Sequence, residues 1–170
     1  RCSKRIVQAA TTFQLGGAKK LNTQCHHEST GPPLKTFLFD MDASADEEAR
    51  LQEYCSRVVR ALQQITTDFP GLKLQNRVAI LVPDRGFLDG LRSLLAAALR
   101  EHFVERQEAR KQRRFSLIDA SEAAKVLLGH VGAEGADSED LVLDTLDNFD
   151  GLERLIVIPV GLDAPLNEGA

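Results

Sequence analysis

The sequence predicts an α/β fold of three layers, in which helices cover both faces of a mostly parallel sheet. Short β-branched runs alternate with longer amphipathic stretches, an order typical of sheets built from strand-helix-strand units. The run at residues 77–83 is aliphatic over most of its length, as are central strands covered on both faces. A length of 170 residues suits one domain with a substantial core, so we expect a single domain over residues 1–170.

Four stretches are expected to form helices. The first follows Ser3, the third follows Asp84, and the fourth begins in the polar segment at residues 119–122. The second follows Ser44-Ala45-Asp46-Glu47, which has the pattern of a capping box. This second helix has the strongest periodicity, with apolar side chains three and four residues apart on one face: Leu51, Tyr54, Cys55, Val58, Val59, Leu62 and Ile65.

Five short runs are expected to be strands. The first, at residues 34–39, alternates between polar and apolar side chains and then becomes wholly apolar. The others are the runs at residues 77–83, 115–118, 141–143 and 155–160. In open α/β sheets, ligands collect at the carboxyl ends of the strands. The polar crossing between the last two runs is therefore where we expect chemistry.

Charge and hydropathy exclude several classes of protein. The net charge is −4, so the chain as a whole is not the basic surface of an independent nucleic-acid binder. The basic groups at the start and at residues 106–114 are expected to be solvated helix faces. No apolar run is long enough to span a bilayer, and the first residues have no signal pattern. We expect an intracellular protein of the cytoplasm or nucleus, without a membrane partner.

The three cysteines, Cys2, Cys25 and Cys55, are irregularly spaced, which suits reduced thiols better than a disulfide framework. His26 and His27 follow Cys25 directly, but adjacent ligands do not easily converge on one tetrahedral ion. No second ligand pair follows at zinc-finger spacing. We therefore expect no metal site built by this chain alone.

Two kinds of catalytic motif are not found in the sequence. No Gly-x-x-x-x-Gly-Lys-Ser/Thr loop occurs, and the glycines and lysines at residues 16–20 follow a helix rather than a strand. No Gly-x-Ser-x-Gly elbow occurs either. Asp40 and Asp42 after an apolar run resemble the acidic pair of haloacid-dehalogenase-type phosphatases. The Ala-Ser-Ala that follows does not continue that pattern, and a strand followed by a capping turn is the preferred interpretation.

The segment that begins at Thr145 is the most informative stretch of the chain. It continues through Asn148 and Phe149-Asp150-Gly151-Leu152-Glu153-Arg154 into the last apolar run. The pattern Thr-x-x-x-x-x-Gly-Leu-Glu ahead of an apolar strand resembles motif V of superfamily 1 helicases of the UvrD/Rep type. The wording Phe-x-Gly-Leu-Glu-Arg is similar to the helicase-like region of Schlafen proteins. The resemblance implies that Thr145 and Asn148 lie near nucleic acid, and that Gly151 and Glu153 approach ATP.

The first residues extend this resemblance. Arg1-Cys2-Ser3-Lys4-Arg5-Ile6 is similar to the end of motif IV in the same helicases. The resemblance implies that Arg1 reaches the γ-phosphate of ATP and acts as a catalytic cation of the arginine-finger kind. It also implies that the chain is the second, C-terminal RecA-like domain of such an enzyme, cut from a longer protein. The fold would then be that of a P-loop NTPase without its own Walker A loop.

The resemblance further implies what this domain binds. ATP and Mg²⁺ would be held mainly by a first RecA-like domain of the same parent chain, which this sequence does not include. The domain would contact nucleic acid, with a single strand favoured, and would not hydrolyse ATP by itself. The alternative is a degenerate RecA-like domain that serves nucleic-acid or protein binding without catalysis. Asp147 and Asp150 favour it, because family members often have His and Lys at these positions.

Overall fold

The computed structural model describes residues 3–12, 29–40, 46–105, 112–127, 138–150 and 152–161. The chain divides into two compact units, residues 1–39 and residues 40–170. The expectation of one domain over residues 1–170 stays a prediction. In the part of the chain that is described, no helix combines the length and the apolar character needed to cross a membrane.

The first unit contains helix α1, Lys4–Thr12. Its first amide, that of Lys4, donates to the carbonyl of Ser29 over 3.1 Å. The strand expected at residues 34–39 does not form, and Leu38 is 88% exposed. A strand needs a neighbour for its backbone hydrogen bonds, and α1 is the one regular element among the described residues of this unit. The strand prediction was therefore wrong, although the apolar pattern is strong.

Two long helices of the second unit begin at aspartate caps. Helix α2, Glu47–Asp68, begins after Asp46, whose carboxylate accepts the amide hydrogen of Ala49 over 2.8 Å. The cap is therefore Asp46 rather than the Ser44 of the predicted capping box, and Ser44 lies outside the described residues. Helix α3, Arg85–Arg100, begins after Asp84, as predicted, and continues into a π-helical turn at Glu101–Glu105.

The sheet of the second unit has four strands, all parallel. They are β1 (Val78–Val82), β2 (Phe115–Ile118), β3 (Glu139–Thr145) and β4 (Ile156–Pro159), in the order β2-β3-β1-β4. Helix α3 connects β1 to β2, and helix α4, Ala120–Leu127, connects β2 to β3. A short 3-10 turn, Asp147–Phe149, leads from β3 towards β4.

Side-chain alternation along β1 divides the core between the two faces of the sheet. Ala79 and Leu81 belong to a buried cluster with Ala120 and Ala123 of α4 and with Phe149. The intervening residues of β1 therefore point to the other face, where α3 packs against the sheet and α2 packs against α3. Four buried leucines lie along α3: Leu88, Leu91, Leu95 and Leu99. The predicted three-layer α/β architecture with a parallel sheet is confirmed.

An ion pair and a side-chain amide tie the amino end of the sheet together. Arg113 donates to both carboxylate oxygens of Glu139, over 2.8 and 2.5 Å, and to the carbonyl of Leu72 over 3.0 Å. The side-chain amide of Gln75 donates to the carboxylate of Asp140 over 2.7 Å. Its oxygen accepts the backbone amide hydrogen of Asp140 over 2.6 Å. We call these residues the amino-edge clamp: Leu72, Gln75, Arg113, Glu139 and Asp140.

Candidate functional site at the carboxyl edge of the sheet

The carboxyl ends of β1, β2 and β3 open into a cleft of about 380 Å³, which we call the carboxyl-edge cleft. The register brings these ends together, because Val82 of β1 lies beside Thr145 of β3. Ligands of open parallel sheets bind at this edge. The volume lies within the range of small-molecule sites. The lining residues are Arg85, Asp119, Ala120, Ser121, Ala124, Asp144, Asn148 and Leu152.

Asp144 organises the floor of this cleft. Its side chain is 4% exposed and lies near the end of β3. One carboxylate oxygen accepts the amide hydrogen of Ala120, the first residue of α4, over 2.9 Å. The other accepts from the amide of Thr145 and from the side-chain amide of Asn148, both over 2.8 Å. A single buried carboxylate therefore connects the end of a strand, the start of a helix and the segment beyond the strand.

Asp119 caps helix α4 on the rim of the cleft. Its Oδ1 accepts from the amide of Glu122 over 2.7 Å and from the hydroxyl of Ser121 over 2.8 Å. The hydrogen bond from the Glu122 amide lowers the pKa of Asp119, and the charge of Arg92 adds to that effect against the opposing effect of desolvation. Asp119 is therefore an anion at neutral pH, held at the positive end of the helix.

Two arginines of α3 place cations near the cleft in different ways. Arg92 donates to the carbonyls of Leu117 and Leu143, over 3.4 and 3.2 Å, so its guanidinium is fixed against β2 and β3. Arg85 forms a 3.1 Å ion pair with Asp89, and its side chain is 70% exposed. Such an exposed pair contributes little energy. Arg85 can therefore turn towards an anionic ligand at small cost in free energy.

Thr145 and Asn148, the predicted nucleic-acid contacts, lie together at the end of β3. The hydroxyl of Thr145 accepts the amide hydrogen of Asn148 over 3.3 Å, and Thr145 is buried. Asn148 lines the cleft and is exposed. The structure thus brings the two residues to the edge where ligands are expected. It gives them different environments, with Asn148 facing the cleft and Thr145 supporting it.

The remaining predicted site residues are less closely connected to the cleft. Glu153 is exposed and is not one of the described residues that line it, whereas its neighbour Leu152 is. Arg154 lies with its guanidinium carbon 5.7 Å from the centre of the Phe149 ring, and partial burial lowers its pKa. Arg1 and Gly151, the predicted catalytic cation and ATP contact, lie outside the described residues.

A second and larger groove, of about 710 Å³, is lined by residues of α2, of α3 and of the π-helical turn, among them Arg57, Arg60 and His102. Cys55 borders this groove and is buried. Burial raises the pKa of the Cys55 thiol to about 11, so the reactive thiolate is scarce at neutral pH. We therefore place the candidate site at the carboxyl-edge cleft rather than in this groove.

Asp144 is the residue that sequence reasoning missed. Its signal was present, because a carboxylate at the end of the wholly apolar run at residues 141–143 must be either paired or functional once the strand is buried. Asp119 was placed at the start of a helix, but its position beside Asp144 follows only from the strand order. That order brings β2 and β3 together and could not be derived from local patterns.

Two backbone amides at the start of α4 already have carboxylate partners. The amide of Ala120 is already occupied by Asp144, and that of Glu122 by Asp119, so these two groups at the start of α4 do not form a phosphate cradle. Among the described residues that line the cleft, the exposed ones with polar side chains are Arg85, Ser121 and Asn148.

A scan of protein-family models and searches of curated proteins and of solved structures found no match to this chain.

Proposed function

We propose that this protein contains the second RecA-like domain of a helicase-like NTPase of superfamily 1, with Schlafen-like sequence. In this proposal it works in the cytoplasm or nucleus on single-stranded nucleic acid. The observation that carries the proposal is the position of Asn148. This residue of the motif V-like segment lines a cleft at the carboxyl edge of a parallel sheet, where such enzymes bind their ligands.

The hydrogen bonds around Asn148 suggest how binding is communicated. Asn148 donates to Asp144, and Asp144 also holds the first amide of α4. A nucleic-acid strand that displaces the side chain of Asn148 changes the contacts of a carboxylate that positions a helix. The motif V-like segment and α4 therefore respond together, as expected of an element that couples strand binding to the opening and closing of a composite ATP site.

In this proposal the ATP chemistry is shared with another domain. The Walker A loop that cradles the phosphates, and most of the Mg²⁺ coordination, come from a first RecA-like domain. Glu153 approaches the nucleotide from the present domain together with Gly151, and Arg1 faces the γ-phosphate. The exposed position of Glu153 is compatible with this role, since a buried side chain could not reach a nucleotide held by a second domain.

A titration of the isotopically labelled chain with an oligothymidylate tests the proposal by NMR. We expect chemical-shift changes centred on Thr145, Asn148 and Arg85, with an affinity that falls as salt rises. Arg85→Gln should weaken binding several-fold. The matched control is Arg100→Gln at the other end of the same helix. Equal effects of the two variants, or shifts that avoid the cleft, would contradict the proposal.

An ATPase assay on the same preparation tests the composite site. The chain alone should show no ATP turnover above the buffer background, because the phosphate-binding loop is supplied elsewhere. Turnover above the background that disappears in the Glu153→Gln variant would mean that this chain holds a complete nucleotide site, and the proposal of a shared site would then fail.

A second candidate is a degenerate RecA-like domain that binds a protein or nucleic acid without taking part in ATP hydrolysis. The observation that favours it is the acidic pair Asp147 and Asp150, both exposed in the segment that would meet nucleic acid. The double variant Asp147→His with Asp150→Lys restores the cations common in the family. If only this variant binds the oligothymidylate, the degenerate domain is the better description.

A further inference from the structure

Within the described part of the chain, the face of the sheet that α4 covers is only partly occupied. On this face Ala79, Leu81 and Val142 are buried beneath Ala120 and Ala123 of α4 and beneath Phe149. Val157 of β4 is aligned with Ala79 of β1 in the parallel register. Aligned residues of neighbouring strands point to the same face, so Val157 belongs to this face. Unlike its neighbours, Val157 is 46% exposed.

The exposed side chains of β4 form an apolar row. Alternation places Val157 and Pro159 on one side of the strand, with Leu155 just before it, and places Ile156 and Ile158 on the other side. Leu155 is 67% exposed, whereas Ile156 and Ile158 are half-buried. We call Leu155, Val157 and Pro159 the β4 surface. Isolated exposed apolar residues need no explanation, but a continuous row along a strand is typical of a docking surface.

The spacing of the sheet fits a helix at this position. Helix α4 packs on β3, and β4 lies two strand positions from β3 because β1 is between them. Two strand spacings make roughly 10 Å. Packed helices lie about 8 to 10 Å apart. A helix laid over β4 would therefore run at packing distance from α4, with the buried Phe149 filling the space above β1.

The exposed charges of the segment that leads into β4 are acidic. Asp147, Asp150 and Glu153 are exposed in the segment that leads into β4. The one cation of that segment, Arg154, lies over the Phe149 ring and is half-buried. Charge complementarity therefore calls for Lys or Arg on the occupant. Residues 162–170, which follow β4 after two intervening residues, contain no Lys or Arg, so they do not supply this complementary charge.

We propose that the β4 surface docks an amphipathic helix of a partner protein, whose apolar stripe covers Leu155 and Val157 and whose Lys or Arg side chains face Asp147 and Asp150. This mode of recognition places the apolar face of a helix against an apolar surface, here formed by Leu155, Val157 and Pro159. The interaction goes beyond the proposed role in ATP and nucleic-acid binding, and it requires neither ligand.

Fluorescence anisotropy with a designed peptide tests the docking proposal. The probe is a labelled peptide of about 18 residues, with a leucine stripe at helical spacing flanked by lysines. Two companion peptides have the same composition in scrambled order, or glutamate in place of lysine. We expect the first peptide to bind the full chain, and its affinity to fall with salt. The companions should bind at least about tenfold more weakly, because they lack either the stripe or the charge.

Substitutions on the β4 surface identify the binding site. Leu155→Gln with Val157→Thr should weaken the peptide about tenfold, since both apolar contacts are lost while β propensity is kept at position 157. Asp150→Asn should weaken it less and reduce the salt dependence. The control is Leu38→Gln, which removes an even more exposed leucine of the first unit. Thermal melting of each variant verifies that it is folded.

Three results would overturn the docking proposal. One is equal binding of the scrambled peptide, which would show that hydrophobicity without a helical stripe is sufficient. Another is equal weakening by Leu38→Gln. The third is concentration-dependent dimerisation in sedimentation velocity that Leu155→Gln abolishes, because a second copy of the chain would then be the occupant. None of these measurements involves nucleotide or nucleic acid. If the docking proposal fails, the proposed function is therefore still decided by its own tests.

Discussion

The two edges of the sheet place polar groups in contrasting arrangements. At the amino edge, Arg113 and Glu139 satisfy one another and two backbone groups, and the resulting clamp closes that end of the core. At the carboxyl edge, Asp144 is also satisfied, but its partners surround a cleft. Polar groups that bond only to each other stabilise the fold, whereas polar groups around an opening are available to a ligand. This difference is the reason why we propose a structural role for the amino edge and ligand binding at the carboxyl edge.

Replacing Asp144 should have the largest effect. Asp144→Ala removes the acceptor for three donors, among them the first amide of α4, in a site that is almost fully buried. Unsatisfied buried groups cost about 1 to 3 kcal/mol each before relaxation. We expect the free energy of unfolding in urea to fall by roughly 3 kcal/mol. The exposed Asp147→Ala is the control and should change it by less than about 0.5 kcal/mol. Equal effects would mean that Asp144 does not organise this edge.

Removing the amino-edge carboxylate should have a smaller effect on stability. Glu139→Ala breaks the ion pair with Arg113, in which both side chains are about one-fifth exposed. It also removes the acceptor of the Leu74 amide. We expect a loss of roughly 2 kcal/mol in the free energy of unfolding, because solvent partly compensates the unpaired guanidinium. Oligothymidylate binding by the folded variant should be unchanged. A loss of binding as large as that caused by Arg85→Gln would remove the distinction between the edges.

The pH dependence of this clamp follows from the direction of the Glu139 shift. Partial burial raises its pKa, but the hydrogen bonds from Arg113 and from the Leu74 amide outweigh burial and hold the pKa below 4.5. A carboxylate whose folded pKa is depressed stabilises the fold above the unfolded pKa, and this contribution disappears as pH falls through the folded value. Stability should therefore drop below pH 4.5, and Glu139→Gln should flatten that drop. An unchanged slope in urea titrations at several pH values would contradict the assignment.

Local sequence patterns predicted the helices and strands of the second unit well. They failed where contacts with residues distant in the sequence determine the structure. The aliphatic run of β1 and the aspartate cap of α3 were found because each signal lies within a few neighbouring residues. The run at residues 34–39 has an equally strong strand pattern, but the described part of its unit provides no neighbouring strand. The contact between Asp144 and Ala120 could not be predicted for the same reason, since it joins residues that are 24 positions apart.

The helix cap that Asp119 provides for α4 should contribute less to the free energy of unfolding than either Asp144 or Glu139. Asp119→Ala removes the acceptor for the Glu122 amide, and a lost helix cap costs roughly 1 kcal/mol. Because that hydrogen bond lowers the pKa of Asp119 from 3.8, the contribution persists at neutral pH and is lost only below about pH 4. Urea unfolding at pH 7 and pH 3 measures both effects. Asp119→Asn, which keeps a capping oxygen, should recover most of the stability at pH 7. Failure to recover it would mean that the charge matters more than the cap.

Replacing Arg85 should have the smallest effect on stability. This substitution also separates effects on binding from effects on folding most directly. The ion pair with Asp89 is largely exposed, so Arg85→Gln should change the free energy of unfolding by less than about 0.5 kcal/mol. The same variant should weaken oligothymidylate binding several-fold, because Arg85 is the exposed cation on the described wall of the cleft. Arg85→Lys should keep most of the affinity, since a phosphate contact needs a positive charge. A variant that loses stability and binding in proportion would instead show that the carboxyl edge, like the amino edge, serves the fold alone.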